Sequence, residues 1–165
     1  MHLSRGEVLF LQGETGKIYY LKSGLLKVSR IRADGSSFLF NILVPGERFP
    51  HHSLVVPQET FGTVSAMSVS EVQCLPAAEW YQLLAEKPEQ YREVAFVLQT
   101  TLRKMQKRME LTTAPTKDRI PMLREWFAQF LPNLQLEDVL TQEEIGQFLG
   151  MTRETVNRQL RNQAK

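Results

Sequence analysis

Two periods divide the chain. From Gly6 to Leu75 apolar residues come in short runs that alternate with polar ones and stop at turn residues. From Pro76 onward they recur every three or four positions. The first period predicts strands and the second predicts helices. Val8-Leu9-Phe10-Leu11 is followed by Gly13 and Gly16. Ile18-Tyr19-Tyr20-Leu21 ends at Ser23-Gly24, and Leu25 to Ile31 runs into Asp34-Gly35, a hairpin signal. Phe38 to Val44 stops at Pro45-Gly46, and Thr63 to Leu75 supplies further alternation. Turns this regular predict an antiparallel barrel or sandwich. A βαβ rhythm is missing, which argues against a parallel nucleotide-binding sheet.

Ala77 to Ala85 reads as a short helix and a long one follows Pro88. In the long one Tyr91, Ala95, Leu98, Leu102, Met105 and Met109 recur at steps of four and three, an a/d seam of about three heptads. Val94 and Val97 form a second apolar stripe, suited to the barrel. The seam is then left for a second copy of the helix, although burial within its own domain gives the same pattern. Thr112-Thr113-Ala114-Pro115-Thr116 reads as a hinge. A helix is expected from Asp118 to Leu131, with Pro121 in its first turn and Ile120, Leu123, Phe127 and Phe130 on one face beside Trp126.

Composition narrows the classes. The 165 residues are 42% hydrophobic and 23% charged, as in globular proteins, and no apolar run approaches the ~20 residues that span a bilayer. The start has no apolar signal core, so a cytoplasmic protein is expected. Cys74 is the single cysteine, which excludes an internal disulfide and a four-thiolate cluster within one chain; its strand pattern predicts a small buried side chain. Net charge is only +2, but it is unevenly spread. Residues 1–98 carry nine basic and ten acidic side chains, and residues 99–165 carry eleven and eight. From Arg153 to Lys165 four basic groups stand against Glu154 alone, a footprint suited to phosphate.

The most specific motif runs from Leu140 to Leu160. Thr141 and Glu144 form a capping box that starts a helix at Gln142, with Ile145 and Leu149 inward. Gly150 suits a tight turn, Thr152 caps a second helix, and Val156 and Leu160 point inward. Two short helices across a glycine turn make a helix-turn-helix. Thr152, Arg153, Glu154, Asn157, Arg158 and Arg161 are thereby placed at the start and outer side of the second helix. Arginine can bridge guanine O6 and N7, and glutamate can accept from cytosine N4. No nucleophile–base pair, metal-spaced histidine set or phosphate loop occurs, so no enzyme is expected.

The segment Leu140-Thr141-Gln142-Glu143-Glu144-Ile145-Gly146-Gln147-Phe148-Leu149-Gly150-Met151-Thr152-Arg153-Glu154-Thr155-Val156-Asn157-Arg158-Gln159-Leu160 resembles the helix-turn-helix of the CRP/FNR family of bacterial transcription regulators, with Gly146 where a small residue is usual. Gly6-Glu7-Val8-Leu9-Phe10, Gly13, Tyr20 to Val28, Asp34-Gly35 and Leu43 to Phe49 are similar to that family's effector-binding β-roll. The resemblance implies an α+β chain: an antiparallel, jelly-roll-like β-roll at 1–87, a dimerisation helix at 88–111, and a DNA-binding domain at 112–165. It also implies a homodimer on near-palindromic double-stranded DNA, with RNA polymerase as a further partner that it admits. By the same resemblance Arg153 touches phosphate or a base, and Glu154, Asn157 and Arg158 read the half-site. The family's N-terminal helix and its C-terminal wing have no counterpart in these 165 residues.

The resemblance also points to an effector pocket. Cyclic-nucleotide binders of the family hold the phosphate with Gly-Glu and a later Arg-Ser, where this chain has Pro50-His51 and Thr60-Phe61. A phosphodiester needs a cation and backbone amides, so cyclic AMP is not expected. Nor is the iron–sulfur cluster of the oxygen-sensing branch, whose cysteines are missing here. His52 falls on the haem-ligating histidine of the family's carbon monoxide sensor, but Pro50 replaces the neighbouring cysteine. A hydrogen-bonded pocket histidine is the leading expectation; an unidentified small molecule or haem on His52 are the alternatives. Adjacent strand histidines point to opposite faces, so at most one of His51 and His52 is expected to enter a pocket lined by Phe49, Pro50, Thr60, Phe61 and the adjoining helix. Two functional classes follow: an effector-controlled gene regulator, and a ligand-sensing or dimerisation module without gene control.

Overall fold

The computed structural model describes residues 1–163. Ala164 and Lys165 lie outside the described residues, and with them the last basic group of the C-terminal end. Eight strands come first: β1 (His2–Leu3), β2 (Val8–Phe10), β3 (Lys17–Ser23), β4 (Leu26–Ile31), β5 (Ser37–Leu43), β6 (Arg48–Phe49), β7 (Thr63–Ala66) and β8 (Ser70–Pro76). They form two antiparallel four-stranded sheets, ordered β1-β8-β3-β6 and β2-β7-β4-β5. This is the two-sheet roll that the turn spacing predicts. Their inner faces bury Leu3, Phe10, Tyr19, Leu21, Leu26, Leu43, Phe49, Val64 and Val72. Three of the rings stack, Phe10 on Tyr19 at 5.2 Å and Tyr19 on Phe49 at 5.5 Å between centroids.

Six helices follow: α1 (Ala77–Glu86), α2 (Gln90–Thr113), α3 (Thr116–Ala128), α4 (Leu136–Val139), α5 (Gln142–Leu149) and α6 (Arg153–Gln163). Trp80 and Leu84 of α1 and Val94 of α2 are buried with Ile18 and Leu54, so these helices cover the outside of the first sheet. Val97 packs beside them, as its stripe predicts. The other side of α2 is bare: Tyr91, Leu102, Met105 and Met109 are 43%, 57%, 45% and 65% exposed. Ala95 is exposed too, and Leu98 alone of the seam is half-buried.

The helical domain shares a core with the roll. Leu25, Leu39, Ile42, Val44 and Met67 join Leu111, Ile120, Leu123, Phe127, Leu136, Ile145, Phe148, Leu149 and Val156 in one buried cluster. Polar contacts fix the same interface. Lys27 pairs with Glu144, the Leu39 amide donates to Gln147 Oε1 at 2.7 Å, and Arg108 donates to the Phe40 carbonyl while lying 4.2 Å over the Phe148 ring.

Four local expectations need correction. The helix expected over 118–131 starts at Thr116, so Pro121 lies in its second turn. Proline sets the helical φ, and the side chains of Ile120, Leu123 and Phe127 hold the helix through burial despite the lost donor. The hinge is shorter than expected: Thr112 and Thr113 stay in α2 with both hydroxyls bonded to the Met109 carbonyl, leaving Ala114-Pro115 as the break. Cys74 is exposed rather than buried. It pairs in register with Tyr19 near the end of β8, and alternation tells which face a residue takes but not whether anything covers it there. Finally, 51–53 is a short 3-10 turn rather than strand. No helix among the described residues is long and apolar enough to cross a membrane.

Candidate nucleic-acid interface and effector cavity

The reading head is built by capping. Thr141 Oγ1 accepts from the Glu144 amide at 3.1 Å, and Glu144 Oε2 accepts from the Thr141 amide at 2.9 Å, which is the expected box at the start of α5. Burial pushes the Glu144 carboxyl up, but Lys27 and the Thr141 amide outweigh it and hold it below the usual carboxylate range. At the other end Gly150 takes φ 63° and ψ 44°, the left-handed conformation that a side chain resists. Gly146 has a different reason to be small. A Cβ there would sit 2.5 Å from the Met151 carbonyl oxygen, and the Met151 amide donates to Gly146 O at 2.8 Å. The two helices meet through this close backbone approach.

Thr152 Oγ1 accepts from the Thr155 amide at 3.2 Å, so α6 is capped as expected. Ile145, Leu149 and Val156 are fully buried and Leu160 half-buried. Thr152, Arg153, Glu154, Arg158 and Arg161 are exposed, and Asn157 is half-buried. Among the described residues none of Arg153, Arg158 and Arg161 sits in an ion pair. The outer side of α6 therefore offers uncompensated guanidinium groups and one carboxylate on a rigid support.

Two supporting residues escape sequence reading. Arg119 of α3 donates to the carbonyls of Leu149 at 3.0 Å, Gly150 at 3.2 Å and Ala114 at 2.8 Å, tying the end of α5 to the hinge. Gln159 of α6 donates to the Thr116 carbonyl at 2.9 Å. Apart from Ala114, five residues from Arg119, these carbonyls are distant in sequence, and no local pattern announces them.

The second site is a cavity of about 460 Å³ between the roll and α2. All six expected pocket residues, Phe49, Pro50, His51, His52, Thr60 and Phe61, line it. Both histidines do so, not one, because the 3-10 turn removes the strict alternation of a strand. That turn is clamped from outside: Trp80 Nε1 donates to the Leu54 carbonyl at 2.9 Å and the Tyr81 hydroxyl to the Ser53 carbonyl at 2.6 Å. Leu98, Thr101, Leu102 and Met105 line it from α2, the adjoining helix, and Phe10 and Phe40 add two rings from the roll that the sequence does not single out for the pocket. Leu98, Leu102 and Met105 belong to the seam as well, so one helix face borders both the cavity and the bare surface.

His52 Nε2 is 2.9 Å from the Glu59 carbonyl, which can only accept, so that nitrogen carries the proton. His51 Nε2 faces Glu47 Oε2 at 3.3 Å, within ion-pair range but outside hydrogen-bond geometry. Lys104 Nζ donates to Glu47 Oε1 at 2.8 Å from α2. Burial raises the Glu47 carboxyl, and the contacts of His51 and Lys104 more than reverse this, leaving it below the usual range. Haem does not suit this arrangement. An axial histidine needs a free ring nitrogen aimed at the iron, and on His52, the histidine that the resemblance sets at the haem-ligating position, the Nε2 proton is spent on the Glu59 carbonyl, which leaves only Nδ1.

Residues 1–87 match the cyclic nucleotide-binding domain, and residues 109–164 match the Crp-like helix-turn-helix domain. The chain is 30% identical over 168 residues to the CRP-like cAMP-activated global transcriptional regulator of Mycobacterium tuberculosis, covering 94% of this chain and 73% of that protein. The chain belongs to the CRP/FNR family. It is a DNA-binding transcription regulator of that type. It is also 27% identical over 170 residues to the transcriptional activator protein anr of Pseudomonas aeruginosa, covering 94% of this chain and 66% of that one. A CRP-family transcriptional regulator from Thermus thermophilus shares the fold, with a TM-score of 0.78 at 24% identity over 99% of this chain and 84% of that one.

Proposed function

We propose that this CRP/FNR regulator acts as a homodimer joined along Tyr91, Ala95, Leu98, Leu102, Met105 and Met109. Its two α6 helices enter successive major grooves roughly 34–36 Å apart on a near-palindromic duplex. Arg153 and Arg161 hold phosphate, and Glu154, Asn157 and Arg158 read base edges, with Thr152 fixing the helix start. The roll (1–87), the dimerisation helix (88–111) and the DNA-binding domain (112–165) divide the work. RNA polymerase meets the bound dimer, and both act in the cytoplasm.

The observation that carries this reading is the outer side of α6, largely exposed and, among the described residues, without ion pairs for its arginines, on a support closed by two caps. Occupancy of the cavity controls the output by favouring one arrangement of the dimer over another. Selection of bound duplexes from a random pool tests it. An inverted repeat with half-sites one helical turn apart is expected; a single unrepeated site overturns the two-fold geometry.

A further inference from the structure

The cavity's lining states what it will accept. Its wall is made of Phe10, Phe40, Phe49 and Phe61 together with aliphatic side chains of the roll and of α2 and the pair His51-His52, and no lysine or arginine is among the described residues that line it. Two arginines lie behind that wall. Arg30 stacks on the Phe61 ring at 3.7 Å, and Arg108 is bound to the Phe40 carbonyl. Neither guanidinium lines the space. No carboxylate is among the described residues that line it; Glu47 lies behind His51 at 3.3 Å and is already neutralised by Lys104.

An anion entering this space leaves water and meets aromatic carbon with a buried carboxylate behind His51. Desolvating a charge without an opposite partner is strongly unfavourable. The polar groups are also largely spent: Thr60 Oγ1 donates to the Leu11 carbonyl at 2.7 Å and His52 Nε2 to the Glu59 carbonyl. Asn41, Thr101 and His51, whose Nε2 makes no hydrogen bond among the described residues, are the remaining polar side chains on the wall. The volume, about 460 Å³, lies within the range of small-molecule sites, which combine an apolar wall with a few polar anchors.

We infer that the effector of this regulator is an uncharged, mainly apolar small molecule, held between the Phe40–Phe61 pair and Phe10–Phe49 and anchored by one or two hydrogen bonds, and not a cyclic nucleotide. This rests on the reading of the cavity as the control site. Its chemistry departs from that of the cAMP-activated relative although the fold is shared. Because Leu98, Leu102 and Met105 touch both the ligand space and the seam, such a molecule reports directly to the face that pairs the dimer.

The test uses the full chain with N-phenyl-1-naphthylamine, an uncharged probe that brightens in apolar sites, and cyclic AMP as its charged counterpart. Saturable binding of one probe per chain, undisturbed by a large excess of cyclic AMP, is expected. Phe61→Arg, at a 39% exposed position, puts a cation into the wall, and Thr101→Trp fills the space from α2. Each should weaken the probe at least about tenfold while circular dichroism stays unchanged. Displacement of the probe by cyclic AMP, or binding to both variants as tight as to the unmodified chain, overturns the inference. Duplex anisotropy runs alongside. If duplex binding persists while the probe fails, the ligand class falls alone; if the probe binds and no duplex does, the class stands and the regulatory reading falls.

Discussion

Placing a charge on the bare face of α2 tests the dimer directly. Full burial of a large apolar side chain is worth about 1.5–3 kcal/mol. Leu102 leaves 57% of its surface in water, so pairing can gain about 1–1.5 kcal/mol from it per copy and about 2–3 kcal/mol per dimer. Tyr91, Met105 and Met109 expose 43%, 45% and 65%, and all four residues together reach about 6–13 kcal/mol across both copies. Association itself costs about 4–15 kcal/mol, so gain and cost are of the same size and each side chain of the proposed seam counts. Leu102→Glu removes its share and sets two carboxylates against each other. The dimer Kd should rise at least about 30- to 150-fold, since each 1.4 kcal/mol is about tenfold. Sedimentation velocity over a concentration series reads this. Leu102 also lines the cavity, so Met109→Glu, which does not, repeats the test independently. Unchanged dissociation in both variants refutes the seam.

Arg158→Ala should relax sequence preference and cost about 1–3 kcal/mol on the selected site; equal weakening on random duplex in the same anisotropy assay removes Arg158 as a base reader. Phe127 is 1% exposed in the shared core, so Phe127→Ala should cost about 3–5 kcal/mol in urea unfolding, and a loss under about 1 kcal/mol contradicts the packing. Glu47 has its carboxyl held below the ordinary value in the folded state. Its contribution is therefore complete above the unfolded value of about 4.3 and is lost as pH falls through the lower folded value. Wild-type urea midpoints should drop more steeply than those of Glu47→Gln between about pH 5 and pH 3, and parallel curves would count against the His51–Glu47–Lys104 cluster.

Local signals account for what was legible in the sequence. Turn residues at regular intervals gave the roll, the a/d spacing gave the exposed stripe of α2, and Thr141, Gly150 and Thr152 delimited the two helices because each acts on amides or dihedrals within a few residues of itself. The six pocket residues emerged from a family resemblance rather than from spacing. What stayed hidden depends on distant partners. His51 and His52 share the cavity because Trp80 and Tyr81 hold the 51–54 backbone from another helix. The exposure of Cys74 depends on what packs over its face of the sheet, and the roles of Arg119 and Arg108 rest on carbonyls that come close only after folding.

The buried cluster common to both halves has a mechanical consequence. Swinging the reading head away from the roll would peel Leu39, Ile42 and Val44 from Ile145 and Phe148 and break the Lys27–Glu144 pair in the same motion. That gives the head a parked position with a definite release threshold. A signal that moves it must favour the released form by more than this threshold. Trimming one methyl group from this contact would thus lower the dose at which the switch turns over, with every residue that meets the effector or the duplex left as it was.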